Sequence, residues 1–385
     1  MPAPSSCFLP GRSAGSTARG LFDADEYARQ RAFFTMRDAR PLLAFPQLAA
    51  ALGLGALLVK DETSRAGLPA FKSVGVEFAV DALARRGALA GVATLVCASA
   101  GNHGRAVARA ARVAGLGATI FLDADVAPAR VAAIAGEGAE IVRVAGTYDE
   151  AVRAATAHAA ATGGLVVSDT SWEGYTAIPR DIMLGYTRIM DEAATAWGTA
   201  GPPDLLAVQA GVGGLLAAVA SWSAWTYGDT RPRLVAVEPL RAACVQASAR
   251  AGRPAAVAGP LSTIMAGLRC GEVSPAAFDA ACTLVDAYVA VDDDWTREAM
   301  RRFARPAADD PSLAVGASGA AGLAALLALR HDPALRDAAD ALGLDATSRV
   351  LVIATEGVTE PELWNEVTAA GGWRLAAGQP DVAPP

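Results

Sequence analysis

Histidine is scarce in this chain of 385 residues, with only three present. Cysteine is sparse too. Cys7, Cys97, Cys244, Cys270 and Cys282 are scattered, odd in number, and include no C-x-x-C pair. That usage argues against a zinc site or a disulfide framework and fits a reducing, cytoplasmic compartment. No apolar run reaches the length needed to cross a bilayer, so no membrane role is expected. Basic residues are outnumbered, 33 Lys and Arg against 40 Asp and Glu, for a net charge of -7. Neither nucleic acid nor an anionic membrane surface is an expected partner. Charged residues are only 19% of the chain and hydrophobic ones 53%, much of that alanine, so the composition is not that of a disordered protein. The length allows two domains with proper cores. Residues 1–20 carry arginines but no hydrophobic signal core, and read as a flexible N-terminal tail.

What is present is a regular alternation. Apolar runs at residues 56–59, 94–98, 118–122, 140–144 and 165–168 read as strands. Helical patterns at 72–86, 105–113, 129–136 and 147–161 separate them. Strands alternating with helices of ten to fifteen residues predict an α/β fold with parallel sheets and crossover helices. A helix is expected at 23–34, another at 46–52, and one long helix at 178–196. Further strands are expected at 205–208, 233–237, 284–291 and 350–354, with helices at 215–225, 244–250, 294–303 and 316–329.

Four stretches carry chemistry. The first runs from the strand at 56–59 through a polar turn with Gly67 and Pro69 to Phe71 and Lys72. A lysine just inside a helix N-terminus, desolvated by Phe71 and Val74, has its pKa depressed, as a Schiff-base nucleophile requires. A solvated surface lysine is the plainer alternative. The second is a strand-to-helix loop, Ser99, Ala100, Gly101, Asn102, His103 and Gly104. The third is Gly211, Val212, Gly213 and Gly214, after a strand and before a helix. Small residues there let backbone N–H groups approach an anion such as a phosphate. The spacing is not that of a dinucleotide fingerprint, and a plain strand–helix turn is the alternative. The fourth is Thr355, Glu356 and Gly357 after the last strand.

Taken in order, the stretches GLPAFKSVG, GNHGRAVA, SDTSWEGYTAIPRDIMLGY, QAGVGG, VEP, STIMAGLRCGE and TEGVTEP resemble the fold-type II pyridoxal-phosphate enzymes, the superfamily of tryptophan synthase β and threonine dehydratase. Within it they are most similar to the diaminopropionate ammonia-lyases. The resemblance spans about residues 21–365 and implies two three-layer α/β domains with mainly parallel sheets. Residues 21–89 and 188–385 would form the large cofactor-binding domain, and 90–187 the small mobile domain.

The resemblance also implies roles. Lys72 would hold pyridoxal phosphate, with Phe71 beside it, and remove the Cα proton of an L-amino acid. Asn102 would bond the phenolic oxygen of the cofactor, Gly211 to Gly214 its phosphate, and Thr355 its ring nitrogen. A neutral hydroxyl there leaves the nitrogen unprotonated, which suits elimination at Cβ. Ser99 and the loop amides of Ala100 and Gly101 would hold the substrate carboxylate. Asp169 would face the substrate and hold its β-amino group or help its departure. His103 and Tyr175 complete the expected substrate shell, with a structural loop histidine and a packing tyrosine as the alternatives.

The implied reaction is ammonia loss from a 2,3-diamino acid; β-replacement, elimination on a less cationic amino acid, and a non-catalytic relative are the alternatives. The implied assembly is a homodimer, and no metal is implied. Four departures from the family pattern stand out. Arg40 replaces a threonine before Pro41, and Ala100, Ala317 and Val358 stand where carboxylates are expected. Ala100 cannot remove a proton. Fewer acids suggest a less cationic substrate, or a single stereochemistry.

Overall fold

The computed structural model describes residues 2–10, 20–34, 39–146 and 148–371. Eleven strands occur among them: β1 (Ser6–Phe8), β2 (Leu42–Ala44), β3 (Ala56–Asp61), β4 (Thr94–Ala98), β5 (Gly117–Asp123), β6 (Glu140–Val144), β7 (Leu165–Val166), β8 (Leu205–Gln209), β9 (Arg233–Pro239), β10 (Ala287–Val291) and β11 (Arg349–Ala354). They make two sheets, in the orders β1-β10-β9-β8-β11-β3-β2 and β6-β5-β4-β7. The four-stranded sheet is wholly parallel. In the seven-stranded sheet only the edge strands β1 and β2 run antiparallel. The chain is therefore the α/β protein with mainly parallel sheets that the alternation predicts.

Two compact units emerge. One comprises Met1–Asp23, Thr35–Ser64 and Ile189–Pro385, the other Ala24–Phe34 and Arg65–Arg188. The four-stranded sheet falls inside the expected 90–187 span, but the second unit begins earlier, at Arg65. The reason is the Lys72–Arg85 helix, which packs on the Ala177–Tyr186 helix at two glycines. A Cβ on Gly185 would meet the Gly75 Cα at 2.8 Å and the Val74 carbonyl at 2.9 Å. Helices that approach this closely act as one body.

In the first unit, strands β8 and β10 are buried at every position, so their apolar runs are continuous and do not alternate. The alanine-rich helix Ala317–His331 lies on this sheet. A Cβ on Gly322 would stand only 3.0 Å from the Ala207 carbonyl and 3.1 Å from the Val352 Cβ. Small residues are what allow that helix so near the strands.

Four expectations are corrected. Ser6–Phe8 is not tail but edge strand, pairing with β10 from Ser6↔Ala290 to Phe8↔Tyr288. The Arg250 guanidinium fixes it, donating to the Cys7 carbonyl at 2.7 Å and lying over the Phe8 ring; residues 11–19 of the expected tail lie outside the described residues. The long helix at 178–196 is two, Ala177–Tyr186 and Arg188–Trp197. Both the amide and the hydroxyl of Thr187 turn back to the Leu184 carbonyl, tightening the turn and breaking the ladder. The strand expected from residue 284 starts at Ala287, because a helix, Pro275–Thr283, closes on Leu284. The helix expected from 105 begins at Asn102.

A cation lies buried beside β3. The Lys60 ammonium is fully buried between Glu62 Oε1 at 2.7 Å and Glu192 Oε2 at 2.8 Å, and also donates to the Arg40 carbonyl at 3.1 Å. Arg40 reaches Asp61 at 2.9 Å, and its amide donates to Glu192. The departure at Arg40 thus serves to pin the end of β3, where the chain leaves for Lys72. Replacing Lys60→Met leaves the buried Glu62 and Glu192 carboxylates without this cation. Stability to urea is expected to fall by about 3–5 kcal/mol; a loss under about 1 kcal/mol would mean the cluster contributes little.

Glu238, at the end of β9, is 1% exposed. Burial pushes its carboxyl up from 4.5 to about 8, against the amides of Val245 and Gln246 and the Cys244 thiol, which pull it down. Between those values the folded chain keeps a proton that the unfolded chain has released, so stability falls as pH rises from about 4.5 through about 8. The slope contributed is at most about 1.4 kcal/mol per pH unit. Melting curves should show that slope in the parent and lose it in Glu238→Gln; parallel pH profiles would contradict the assignment.

Candidate active site

In the second unit, Lys72 is the first residue of its helix, with Phe71 as the flanking cap. Its ammonium lies 2.7 Å from Asp169 Oδ2. The Phe71 ring centroid is 5.2 Å away and that of Tyr186 5.6 Å. The aromatic surroundings expected of the lysine are present, but its direct partner is a carboxylate. Burial opposes the charge on Asp169. His103, were it protonated, and Lys72 favour it, and the net result holds Asp169 well below the usual carboxylate range. Burial also lowers His103, with Asp169 and the Val167 carbonyl opposing. A neutral ring supplies no charge, so the Lys72 ammonium is the cation that keeps Asp169 ionised.

The loop after β4 leads into the helix Asn102–Val113. Gly104 is required there, since a Cβ would collide with the Ser99 carbonyl. The loop turns sharply, with Gly101 N donating to Ser99 Oγ at 3.3 Å. Ser99, Ala100 and Asn102 are half-buried and Gly101 is exposed. Ser99 keeps its own hydroxyl proton to give, and the helix N-terminus adds favourable partial charge for a carboxylate. His103 is buried, with Nε2 3.1 Å from the Val167 carbonyl. Tyr175 spends its hydroxyl on backbone, donating to the Val166 carbonyl and accepting from Ser168 N, both at 2.9 Å. Its ring stacks on Trp172 at 4.1 Å. Tyr175 thus fixes the segment that presents Asp169.

In the first unit, Gly211 to Gly214 follow β8 and open the helix Gly214–Tyr227, which has no acidic residue in its first turn. Gly213 adopts φ +94°, a conformation that favours glycine. A Cβ on Gly211 would stand 3.1 Å from Cys270 Sγ and 3.2 Å from the Gly267 carbonyl. Val212 contributes backbone, its carbonyl accepting from Ser274 N. At the end of β11, Thr355 is 3% exposed. Its hydroxyl oxygen accepts from Gln209 Nε2 at 2.8 Å. Gln209 Nε2 is also 2.9 Å from the Ile353 carbonyl and 3.1 Å from that of Ser318. With its oxygen already accepting, Thr355 has its proton left to donate.

Gln209 was not singled out by sequence. Its only local signal is its place between a strand and the glycine loop. Glu356 was named only within its stretch and given no role; it is buried and accepts from Ser318 N at 3.0 Å at the start of the Ala317–His331 helix. A cavity of about 400 Å³ near the ends of β9 and β10, lined by Arg241, Thr263, Asp293 and Arg297 among others, contains none of the expected residues. Among the described residues no cluster of His, Cys, Asp or Glu could hold a metal ion, and no helix is long and apolar enough to cross a membrane.

These features fit pyridoxal phosphate: an amine nucleophile, a backbone cradle that a Cβ at Gly211 would fill, and a hydroxyl with its proton to give. Comparison with known proteins agrees. The model of a family described as pyridoxal-phosphate dependent enzymes matches residues 37–356. Diaminopropionate ammonia-lyase of Escherichia coli K12 is 35% identical over 352 residues, covering 87% of this chain and 88% of that protein. Its Salmonella typhimurium counterpart is 34% identical, covering 86% and 88%. The crystal structure of the Escherichia coli enzyme with an aminoacrylate–PLP azomethine intermediate matches with a TM-score of 0.86 and 32% identity, over 95% of this chain and 97% of that one. The chain belongs to the fold-type II pyridoxal-phosphate dependent enzymes, in the group of the diaminopropionate ammonia-lyases.

Proposed function

We propose that this chain eliminates ammonia from L-2,3-diaminopropionate and that water hydrolyses the resulting aminoacrylate, giving pyruvate and two molecules of ammonia in all. The observation that carries the reading is the Lys72 ammonium held 2.7 Å from Asp169, an amine nucleophile beside a carboxylate ready for a second cation. Identity to ammonia-lyases across most of the chain supports it.

Pyridoxal phosphate, when bound, supplies the electron sink that stabilises charge at Cα. Lys72 carries it between turnovers, with Phe71 alongside. Backbone amides of Gly211, Val212, Gly213 and Gly214 bind its phosphate, Asn102 its phenolic oxygen, and the Thr355 hydroxyl donates to its ring nitrogen without giving up the proton. Ser99 and the amides of Ala100 and Gly101 bind the substrate carboxylate. The freed Lys72 amine takes the Cα proton of the L-isomer. Asp169 holds the β-ammonium, and the pair of electrons in the Cβ–N bond leaves with nitrogen as ammonia. His103 and Tyr175 complete the substrate shell, Tyr175 by pinning the segment that carries Asp169. The large and small domains of the family, divided at residues 90 and 187, would move as the substrate binds. The setting is a homodimer in the cytoplasm, the compartment being consistent with five cysteines that form no disulfide.

A second reading, β-replacement or elimination on a less cationic amino acid, draws on Ala100, Ala317 and Val358, which supply no charge where carboxylates are expected.

Release of 2-oxo acid from L- and D-2,3-diaminopropionate, each supplied alone to the cofactor-loaded protein, separates these readings. Turnover of L alone is expected, with Lys72 the one base; Ala100→Asp should then add activity on D. Turnover of both isomers would require a base outside this scheme, and turnover of neither would move the reading to another β-substituted amino acid. Lys72→Ala should reduce turnover by at least about a thousandfold, the size expected for loss of a covalent base. A Lys72→Ala protein that keeps its rate would sink the mechanism.

A further inference from the structure

His103 is 5% exposed, and one of its ring nitrogens has no partner. The Val167 carbonyl, 3.1 Å from Nε2, can only accept, so Nε2 carries the proton. In the neutral ring Nδ1 is then a bare lone pair, and it stands 3.8 Å from Asp169 Oδ2. Of these two acceptors, Asp169 Oδ2 accepts from Lys72 at 2.7 Å, and Nδ1 is left with no donor. That arrangement is costly in a buried site unless a donor arrives. The tautomer is fixed from outside. Val167 N donates to the Val96 carbonyl at 2.8 Å, and the Tyr175 hydroxyl joins the residues on either side of Val167.

We propose that His103 Nδ1 and Asp169 Oδ2 together seat the β-ammonium of the substrate, so that His103 selects a 2,3-diamino acid over its β-hydroxy counterpart. The inference rests on the function proposed above and deepens it. An ammonium has three N–H groups and can satisfy both acceptors at once. A hydroxyl has one proton, and its oxygen would face the second acceptor with lone pairs. In the ligand-free chain the Lys72 ammonium takes this place against Asp169, at 2.7 Å.

The chemistry requires acceptors rather than bases here. When the Cβ–N bond breaks, its electrons depart with nitrogen, and a group that entered as ammonium leaves as neutral ammonia with its three protons. A base that stripped a proton first would leave a far poorer leaving group. Burial holds His103 below its ordinary value, with Asp169 opposing, so the ring accepts a hydrogen bond without capturing the proton. Burial likewise keeps the neighbouring Cys97 thiol and Tyr175 phenol protonated, so neither adds a competing charge. Asp169 and Lys72 are the charged groups that face the ring.

The test uses His103→Gln, whose amide can still donate to the Val167 carbonyl but offers no acceptor in the place of Nδ1. In the holoenzyme, kcat/KM for L-2,3-diaminopropionate is expected to fall about tenfold to a hundredfold, the worth of one hydrogen bond to a charged group. The value for L-serine should change by less than about threefold. Equal losses on both substrates would assign His103 a structural role and overturn the inference. A second readout needs no turnover. With three histidines in the chain, nitrogen NMR of histidine-labelled Lys72→Ala protein, loaded with pyridoxal phosphate, resolves Nδ1 of His103. Added L-2,3-diaminopropionate should shift that signal toward a hydrogen-bonded acceptor while L-serine does not; no shift, or the same shift with both, overturns it. A parent enzyme that acts on neither amino acid would sink the proposed function, and the NMR arm would still decide the role of His103.

Discussion

An ammonium and a carboxylate 2.7 Å apart, Lys72 and Asp169, come from positions 97 residues apart in the chain. Holding them together sets conditions on everything around them. The Lys72 helix must lie against the Ala177–Tyr186 helix, and this is why Gly75 and Gly185 face one another with no room for a Cβ on either. The Tyr186 ring then reaches both Phe71, at 4.8 Å between centroids, and Lys72. On the carboxylate side, Tyr175 uses its hydroxyl twice to tie down residues 166–168, so Asp169 follows from a braced turn rather than a free loop. A buried ion pair is a weak source of stability, because desolvation offsets its attraction. Its value here is placement: it holds the Lys72 amine against a braced carboxylate.

The first unit meets a different requirement, the presentation of neutral donors at the C-terminal ends of parallel strands, where open α/β sheets bind ligands. Strand β8 ends in Gln209 and the glycine loop, β11 in Thr355. They are joined by a single amide, Gln209 Nε2, that touches the Thr355 hydroxyl and the Ile353 and Ser318 carbonyls. The amide sets which way Thr355 can donate. The buried Lys60, Glu62 and Glu192 cluster fixes β3 beside β11 in the same sheet, where Lys60 pairs with Ile353 in register.

Most of the strand content was legible because buried parallel strands are short, continuous apolar runs bounded by glycine or charge. The same rule failed at Ser6–Phe8, whose partners, Ala290 to Tyr288, lie 280 to 284 positions further along the chain. Helical periodicity failed at the helices Pro275–Thr283 and Pro361–Ala369, where alanine and mixed polar residues give little periodic signal. The break at Thr187 depends on a side chain returning to Leu184, and nothing in the apolar pattern marks it. At the site, the motif residues could be named from resemblance, but their bonding could not. The bond from Gln209 to Thr355 spans 146 positions and that from His103 to Val167 spans 64. Such contacts decide tautomer and donor direction, and local sequence does not encode them.

The missing acids at Ala100, Ala317 and Val358 raise the question of what balances a doubly cationic substrate. Glu356, two residues before Val358, lies at the start of the Ala317 helix. One of its oxygens, though, already accepts from Ser318 N, where it satisfies an amide left open by the helix N-terminus. Moving it to a ligand would expose that amide. Glu62 and Glu192 are likewise committed to Lys60. Asp169 differs, because its partner is Lys72, the lysine that on the proposed function would carry the cofactor. On the proposed function, a Lys72 that carries the cofactor would no longer present its ammonium to Asp169, and the second ammonium of the substrate would replace it as the cation that favours the ionised carboxylate. The site thus needs no larger number of acids to favour a second ammonium. On that function, one acid whose resident cation is withdrawn would suffice.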